Sequence, residues 1–515
     1  MSAKEIAMGH DARVKIKKGL DRACDAVRPT LGVIGMTAMI ESLGLDPIEC
    51  DDGVTILKNL EFDDHYENLG LQKIRKAAIR TSTEGGDGTA TTTVLTQALV
   101  HEAFKEIAND SSKIREVRER LSIGLQSVLE RLSMMKKDVK PEEIKQIAEI
   151  SSLDPEVAGI IAEIIQDVGV HGVITVEKGS KLGYSKEVVK GARFNKGLIS
   201  PFFINERETG SCVLEDAYIV LVDRKISSNE QIVPLLQTIG TGKNILIIAD
   251  DVESVALGTL AQNAVQGIAR IGCVRNPYSA SAAKDFLFDI AALTGATVIS
   301  EEMGMKLPEA TVALCGHAEK VVITRDSTTI IGGKSSDTLL TRVSEIQSLI
   351  ENTTSEYVKE TLEARLAQLI GGIGVVRVGA YTDTEYNSKK YKFENAINAT
   401  QAALQEGILP GGGIALLDAS LIAEDPIFKQ ALITPFLQMT KNAGMKDQEG
   451  YRFIARLMGT GIDFRTKQDV NMFEAGIIDP YKVVRLALES AVAIAISLIS
   501  VETAIITIKD AHEKD

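Results

Sequence analysis

The sequence predicts a multidomain α/β protein in which helical segments near both ends of the chain enclose an α/β insert. Three observations lead there. At 515 residues the chain is too long for one hydrophobic core. Its middle holds the runs AYIVLVD (217–223), NILIIAD (244–250) and IARIGCV (268–274), separated by helical stretches, a spacing that implies parallel strands joined by crossovers. Beyond about residue 374, alanine-rich helical patterns resume.

Taken in order, residues 11–28 place Val14, Ile16, Leu20, Ala23 and Val27 at helical spacing, and Pro29 and Gly32 end that helix in the turn PTLG. Short apolar runs between Met36 and Leu57, with Asp51-Asp52-Gly53 among them, predict a hairpin. A long helix follows Gly88, with Val94, Leu95, Ala98, Leu99, Phe104 and Ile107 on one side. After the strand-rich middle, Val343, Ile346 and Ile350, then Leu362, Leu366 and Leu369, mark two helices broken at 352–355, a helical hairpin. Gly371, Gly372 and Gly374 mark a boundary. The most apolar segment, LALESAVAIAISLISVE, is interrupted by Glu489 and closed by Glu502, so it reads as a buried helix rather than a membrane span.

Composition narrows the function. A net charge of −14, no Trp and 4% aromatics argue against nucleic acid or an anionic membrane as partner. Five scattered cysteines without a CxxC pair fit reduced thiols, and six histidines never fall at metal-ligand spacing. With no secretory pattern at the N-terminus, the expectation is a soluble cytoplasmic protein.

The chemistry is concentrated in glycine turns. GGKS at 332–335 lacks the first glycine of a phosphate-binding P-loop, having Thr328 there, and reads as a β-hairpin turn. GGDGTATTTVL (85–95) admits two readings. As a helix cap, Asp87 or Thr89 accepts first-turn N–H bonds. As a cradle, free N–H groups hold phosphate, and Asp87 with the hydroxyls of Thr89, Thr91, Thr92 and Thr93 suits Mg²⁺–nucleotide. PTLG (29–32) and PGGGIAL (410–416) are further glycine turns beside apolar helices. Together the three would build one polyphosphate site, although each alone also reads as a helix stop.

These segments, with DDGVTI, GVITVEKG, GLISPFFIN, NILIIADDVE, TVISEEMGM, NATQAALQEGILPGGGIAL and GIIDPYKVVRLAL, resemble a group I chaperonin of the bacterial GroEL type from end to end. The resemblance implies an α-helical equatorial ATP-binding domain (1–133 and 406–515), a small intermediate domain (134–189 and 374–405) and an α/β apical polypeptide-binding domain (190–373). It implies ATP and Mg²⁺ as cofactors. Thr30, Leu31, Gly32, Val33, Gly88, Thr89, Ala90 and Thr91 would lie around the phosphates, Asp87 on Mg²⁺, and Gly412 and Asp479 at the nucleoside. Asp52 and Asn395 would occupy the catalytic positions. Leu198, Phe202, Phe203, Val233, Leu236, Leu257, Ala261 and Gln262 would line the apical groove for non-native polypeptide, although several also read as core. A homo-oligomeric ring, seven-fold if family-like, and a GroES-type co-chaperonin are the implied partners.

The departures define a divergent paralogue. Asn395 stands where the family carries an aspartate that activates water, and an amide cannot take a proton. The family's TLGPKG is TLGVIG here (Thr30–Gly35), Asp51 replaces a lysine, and Asp463-Phe464-Arg465 replaces the nucleoside-pocket Asn-Ala-Ala. Ala261 and Gln262 replace larger aliphatics, and Leu437 and Lys446 fall where an inter-ring Arg–Glu pair is usual. The expectation is ATP binding with impaired hydrolysis, in a slow folding machine or, alternatively, in a nucleotide-binding holdase or regulatory scaffold.

Overall fold

Close helix crossings and a two-faced sheet organise the chain. A computed structural model describes residues 4–507 apart from 42–46, 108–109, 170–171, 180–181, 207–208, 279, 335–337, 354–355, 447–449 and 451–458. The chain divides into two compact units: 1–162 with 388–515, and 163–387.

The first unit is helical. Helices Gly9–Val27, His65–Gly85, Thr89–Ile107 and Tyr481–Ile499 share one core, with Leu20, Val27, Ile74, Leu95, Leu99, Leu488 and Val492 at its centre. The first two cross closely because Gly19 and Gly70 lie at the contact, where a Cβ would overlap the backbone of the opposing helix. The apolar Tyr481–Ile499 helix is buried as expected. Its one interior acid is satisfied by Arg485, which binds Glu489 at 3.0 Å and grips Glu406 with two further bonds of 3.0 and 2.6 Å. No helix among the described residues is long and apolar enough to cross a membrane.

The expected hairpin forms between Ala38–Ile40 and Ile48–Cys50. Asp51-Asp52-Gly53 is not its turn, however. Asp52 instead caps the helix Gly53–Asn59, its carboxylate accepting from the N–H groups of Val54 and Thr55 and from the Thr55 hydroxyl. An acid followed by a free helix start is a cap before it is a turn.

The second unit is built on a mixed sheet. Its parallel heart, Cys212–Ile226, Asn244–Val252 and Arg270–Arg275, confirms the three predicted strands. Alternate side chains enter different cores: Ile219, Leu221, Leu246 and Ile248 on one face, Val220, Val222, Ile245 and Ile247 on the other. Both faces are therefore covered, which is why these strands read as continuous apolar runs. Gly316–Ile323, Thr328–Gly333 and Gly191–Phe194 extend the sheet antiparallel. The hairpin turn here lies at 324–327, so Gly332-Gly333 end a strand instead of forming the turn, and Ser335 lies outside the described residues. The glycine threshold at 371–374 leads into a strand, Ile373–Gly379, paired between Val173–Lys178 and Gly183–Val189, before helices resume.

The helices Thr338–Asn352 and Glu356–Gly371 form the expected helical hairpin; residues 354–355 of the break lie outside the described residues. Their apolar sides close the sheet's first core, and a buried Asp289 binds both Arg342 and Arg365 at 2.7–3.0 Å.

Candidate functional site

The three glycine turns of the sequence meet in the first unit. Leu31 from PTLG, Val94 from the GGDG helix and Ile414 from PGGG share one buried cluster with Phe436, Met439, Ile462, Phe464 and Met472. Val33 and Ala90 pack onto it. Each turn contributes a glycine in left-handed backbone: Gly32 at φ 90°, Gly88 at φ 90° and Gly412 at φ 61°. A Cβ on Gly32 would meet Met439, and one on Gly412 would meet Met472, so apolar side chains pin these turns on their Cβ sides. The Asn442 amide adds bonds of 3.0 and 2.8 Å to the carbonyls of Arg28 and Leu31. Thr30 spends its hydroxyl on the carbonyl of Val27.

At the head of the Thr89–Ile107 helix, the Thr89, Ala90 and Thr91 N–H groups have no acceptor among the described residues. Asp87 does not cap them; its carboxylate takes the Gly88 N–H at 2.6 Å and the Ser151 hydroxyl at 3.4 Å. Thr92 and Thr93 depart from expectation. Helical periodicity turns both inward, and their hydroxyls bond the carbonyls of Gly88 and Ala90. Thr89 is buried too, and Thr91 alone of the four is half-buried.

Carboxylates gather here. Gly53, next to Asp52, packs on the methyl of Thr89, and the charge of Asp52 acts on Asp87. The strand Ile478–Pro480 pairs with Ile408–Pro410, setting Asp479 opposite Leu409, just before the PGGG turn. Asp87 keeps accessible surface, yet protein crowds it closely, as at the mouth of a cleft. That crowding raises its pKa, against the Gly88 N–H and with help from Asp52. Burial pushes Asp479 up to about 7, the charge of Asp87 adding to the effect. Among the described residues no basic side chain offsets either acid. Among the described residues no three His, Cys, Asp or Glu side chains are placed to hold a metal on their own.

The helix Asp383–Glu406 meets this site at Asn398, whose backbone and Cβ sit where a Cβ of Gly86 would fall. Asn395 is half-buried one turn earlier on the same side, three residues away. Of the residues expected to depart from the family pattern, Phe464 turns inward against Phe436, ring centroids 6.0 Å apart. Asp463 closes the hairpin after it through the Arg465 N–H and the Thr466 hydroxyl.

In the second unit, helices Asn229–Ile239 and Ser254–Val265 lie side by side, joined by a Thr259–Asn229 bond of 2.8 Å. Leu198, Val233, Leu236, Leu257 and Ala261 are half-buried, and Gln262 is exposed. The neighbouring phenylalanines part company: Phe202 is 65% exposed, whereas Phe203 is 2% exposed and belongs to the core. Both lie in one short 3-10 turn, Pro201–Phe203, and no local sequence signal separates them.

The sequence model of the TCP-1/cpn60 chaperonin family matches residues 24–509, and the chain belongs to that family. Among solved structures it is similar to the chaperonin gp146 from the bacteriophage EL 2 (Pseudomonas aeruginosa), crystallised in the presence of ATP-BeFx. The TM-score is 0.74 and the identity 22%, over 98% of this chain and 99% of that one.

Proposed function

We propose that this chaperonin binds Mg²⁺–ATP at the three-turn site and non-native polypeptide on the second unit, and that it turns ATP over slowly. The observation that supports the reading is the meeting of three left-handed glycine turns in one cluster, with carboxylates nearby that no basic side chain among the described residues offsets. Such a cluster suits a cation, and open helix-start N–H groups beside it suit an anion. The ATP-BeFx of the phage chaperonin crystal agrees with this.

In this reading Asp87 holds Mg²⁺, the backbone of Thr30–Val33 and Gly88–Thr91 faces the phosphates, and Gly412 and Asp479 face the nucleoside. Bound Mg²⁺–ATP would supply a γ-phosphoryl group open to in-line attack by water. Asp52 keeps its carboxylate fixed by three bonds at the start of its helix and orients that water. Asn395 can hold water with its amide but cannot remove a proton. A missing general base is worth about 10²–10⁴-fold in rate. The division into equatorial (1–133, 406–515), intermediate (134–189, 374–405) and apical (190–373) parts goes with this reading, as do a homo-oligomeric ring, a GroES-type co-chaperonin at the apical groove and a cytoplasmic location.

The second reading, a nucleotide-binding holdase or scaffold, is favoured by Asn395 and by the exposed Gln262 on the groove helix. The test is ATP binding by calorimetry set against phosphate release. Binding with little turnover, and a rise in turnover in Asn395→Asp, is the expected result. Turnover by the unmodified chain as fast as that of Asn395→Asp would refute the role given to Asn395, and no ATP binding would refute the site.

A further inference from the structure

One peptide of the PTLG turn takes its direction from a helix four hundred residues further along the chain. Leu31 lies at φ −70°, ψ 128°, and Gly32 follows at φ 90°. These are the central angles of a type II turn, which needs a positive φ at its second central residue. Turning the Leu31–Gly32 peptide over would give type I instead, with Gly32 at negative φ. The rest of the loop is tied by its own bonds. The Gly35 N–H reaches the Gly32 carbonyl and the Met36 N–H the Pro29 carbonyl, both at 2.9 Å. The Thr30 hydroxyl holds the Val27 carbonyl, and the Arg28 guanidinium binds Gln97 on the Thr89–Ile107 helix.

The Leu31–Gly32 peptide is held by the helix Thr434–Asn442. Asn442, its last residue, donates both amide hydrogens to the turn, at 2.8 Å to the Leu31 carbonyl and 3.0 Å to the Arg28 carbonyl. The amide is kept from turning round because its oxygen accepts from the Gln438 amide at 2.8 Å, one helical turn earlier, and Gln438 is buried. Met439 of the same helix fills the Cβ side of Gly32, its Cγ 2.8 Å from where a Cβ would stand. In a trans peptide the C=O and N–H point in opposite directions. With the Leu31 carbonyl drawn to Asn442, the Gly32 N–H therefore points away from this helix. Among the described residues it has no acceptor, and neither has the N–H of Val33. In the turned-over peptide the Leu31 carbonyl would take the place of that N–H and repel an anion.

We infer that Asn442 is a positioning residue of the phosphate turn. By holding the Leu31 carbonyl it keeps the Leu31–Gly32 peptide in the orientation that presents the Gly32 N–H to a phosphate group, and Gln438 fixes which end of the Asn442 amide faces the turn. This rests on the nucleotide-binding reading above and names what orders one of its three turns. Asn442→Asp keeps the shape of the side chain but sets a carboxylate against two carbonyls. The repulsion favours the turned-over peptide, whose Gly32 N–H then meets the carboxylate. Loss of one backbone N–H bond to a charged phosphate weakens binding about 10- to 100-fold.

The test uses the full chain carrying Asn442→Asp, Gly32→Ala or both, with Mg²⁺–ATP affinity read by calorimetry and stability by urea unfolding. Asn442→Asp should weaken Mg²⁺–ATP binding by the factor given. In the unmodified chain Gly32→Ala should be destabilising, because its φ is left-handed and its Cβ meets Met439. In the Asn442→Asp background, where Gly32 moves to negative φ, the same substitution should cost markedly less. A role limited to bracing the helix end would leave the cost of Gly32→Ala the same in both backgrounds. That result, or unchanged Mg²⁺–ATP affinity in Asn442→Asp, overturns the inference. Gln438→Leu removes only the bond that orients the Asn442 amide; it should show the same pattern more weakly, and it decides the matter if Asn442→Asp does not fold. If the unmodified chain binds no Mg²⁺–ATP, the nucleotide reading fails, and the stability comparison still decides whether Asn442 sets the peptide.

Discussion

Replacing Asp479 by asparagine tests the electrostatics of the proposed nucleotide site without any ligand. The ordinary aspartate value is 3.8, and burial with the neighbouring charge of Asp87 raises Asp479 to about 7. The folded protein therefore holds this proton more tightly than the unfolded chain does. The sign follows from linkage: ionisation of Asp479 costs stability, so the loss is absent below about pH 4, grows as pH rises, and is complete above about pH 7. A shift of roughly 3 units at 1.36 kcal/mol each sets an upper bound near 4 kcal/mol. Asp479 keeps some contact with solvent, which weakens the effect, and about 1–2 kcal/mol is the expected gain on replacement. The assay is urea unfolding of the two proteins followed by circular dichroism between pH 5 and 9, in chelator. Asp479→Asn should be increasingly the more stable as pH rises, levelling off above neutrality. A difference independent of pH, or a variant less stable at pH 8, would refute the reasoning.

Asp289→Ala removes the buried acid shared by Arg342 and Arg365, leaving both arginines with Asp285 and Arg342 also with Glu345; the cost should be about 2–4 kcal/mol, seen as faster hydrogen exchange across the helical hairpin 338–371. Gly86→Ala combines left-handed backbone at φ 83° with an overlap against Asn398, so a loss of about 2–5 kcal/mol in chemical denaturation is expected, together with weaker nucleotide binding by calorimetry. The expectation that Leu437 and Lys446 take the places of an inter-ring Arg–Glu pair predicts single rings or smaller species in native mass measurement, and stable double rings would contradict it.

How much of this was legible depended on whether the signal was local. The parallel strands announced themselves because both faces of 217–223, 244–250 and 268–274 are buried, which leaves an unbroken apolar run. The helical hairpin was legible from the spacing of Val343, Ile346 and Ile350 and of Leu362, Leu366 and Leu369. Where one motif had two uses, the sequence was silent. Asp51-Asp52-Gly53 could turn a hairpin or start a helix, and only the bonds from the N–H groups of Val54 and Thr55 to the Asp52 carboxylate resolved it. Gly332-Gly333 likewise suited a turn or a strand end.

Local preference and the order of motifs were thus enough, by themselves, to indicate the principal helices and strands and the family. Orientation and electrostatics came from tertiary structure. Thr92 and Thr93 look identical in sequence to Thr89 and Thr91, but helix rotation and the packing of the cluster around Val94 turn their hydroxyls to carbonyls. Phe203 was indistinguishable from Phe202 until the sheet core took its ring. Asp479 lies almost four hundred residues from Asp87, and no local pattern couples them; a two-stranded pairing brings their charges together. Burial and charge coupling are properties of neighbours in space, and most of those neighbours are distant in the chain.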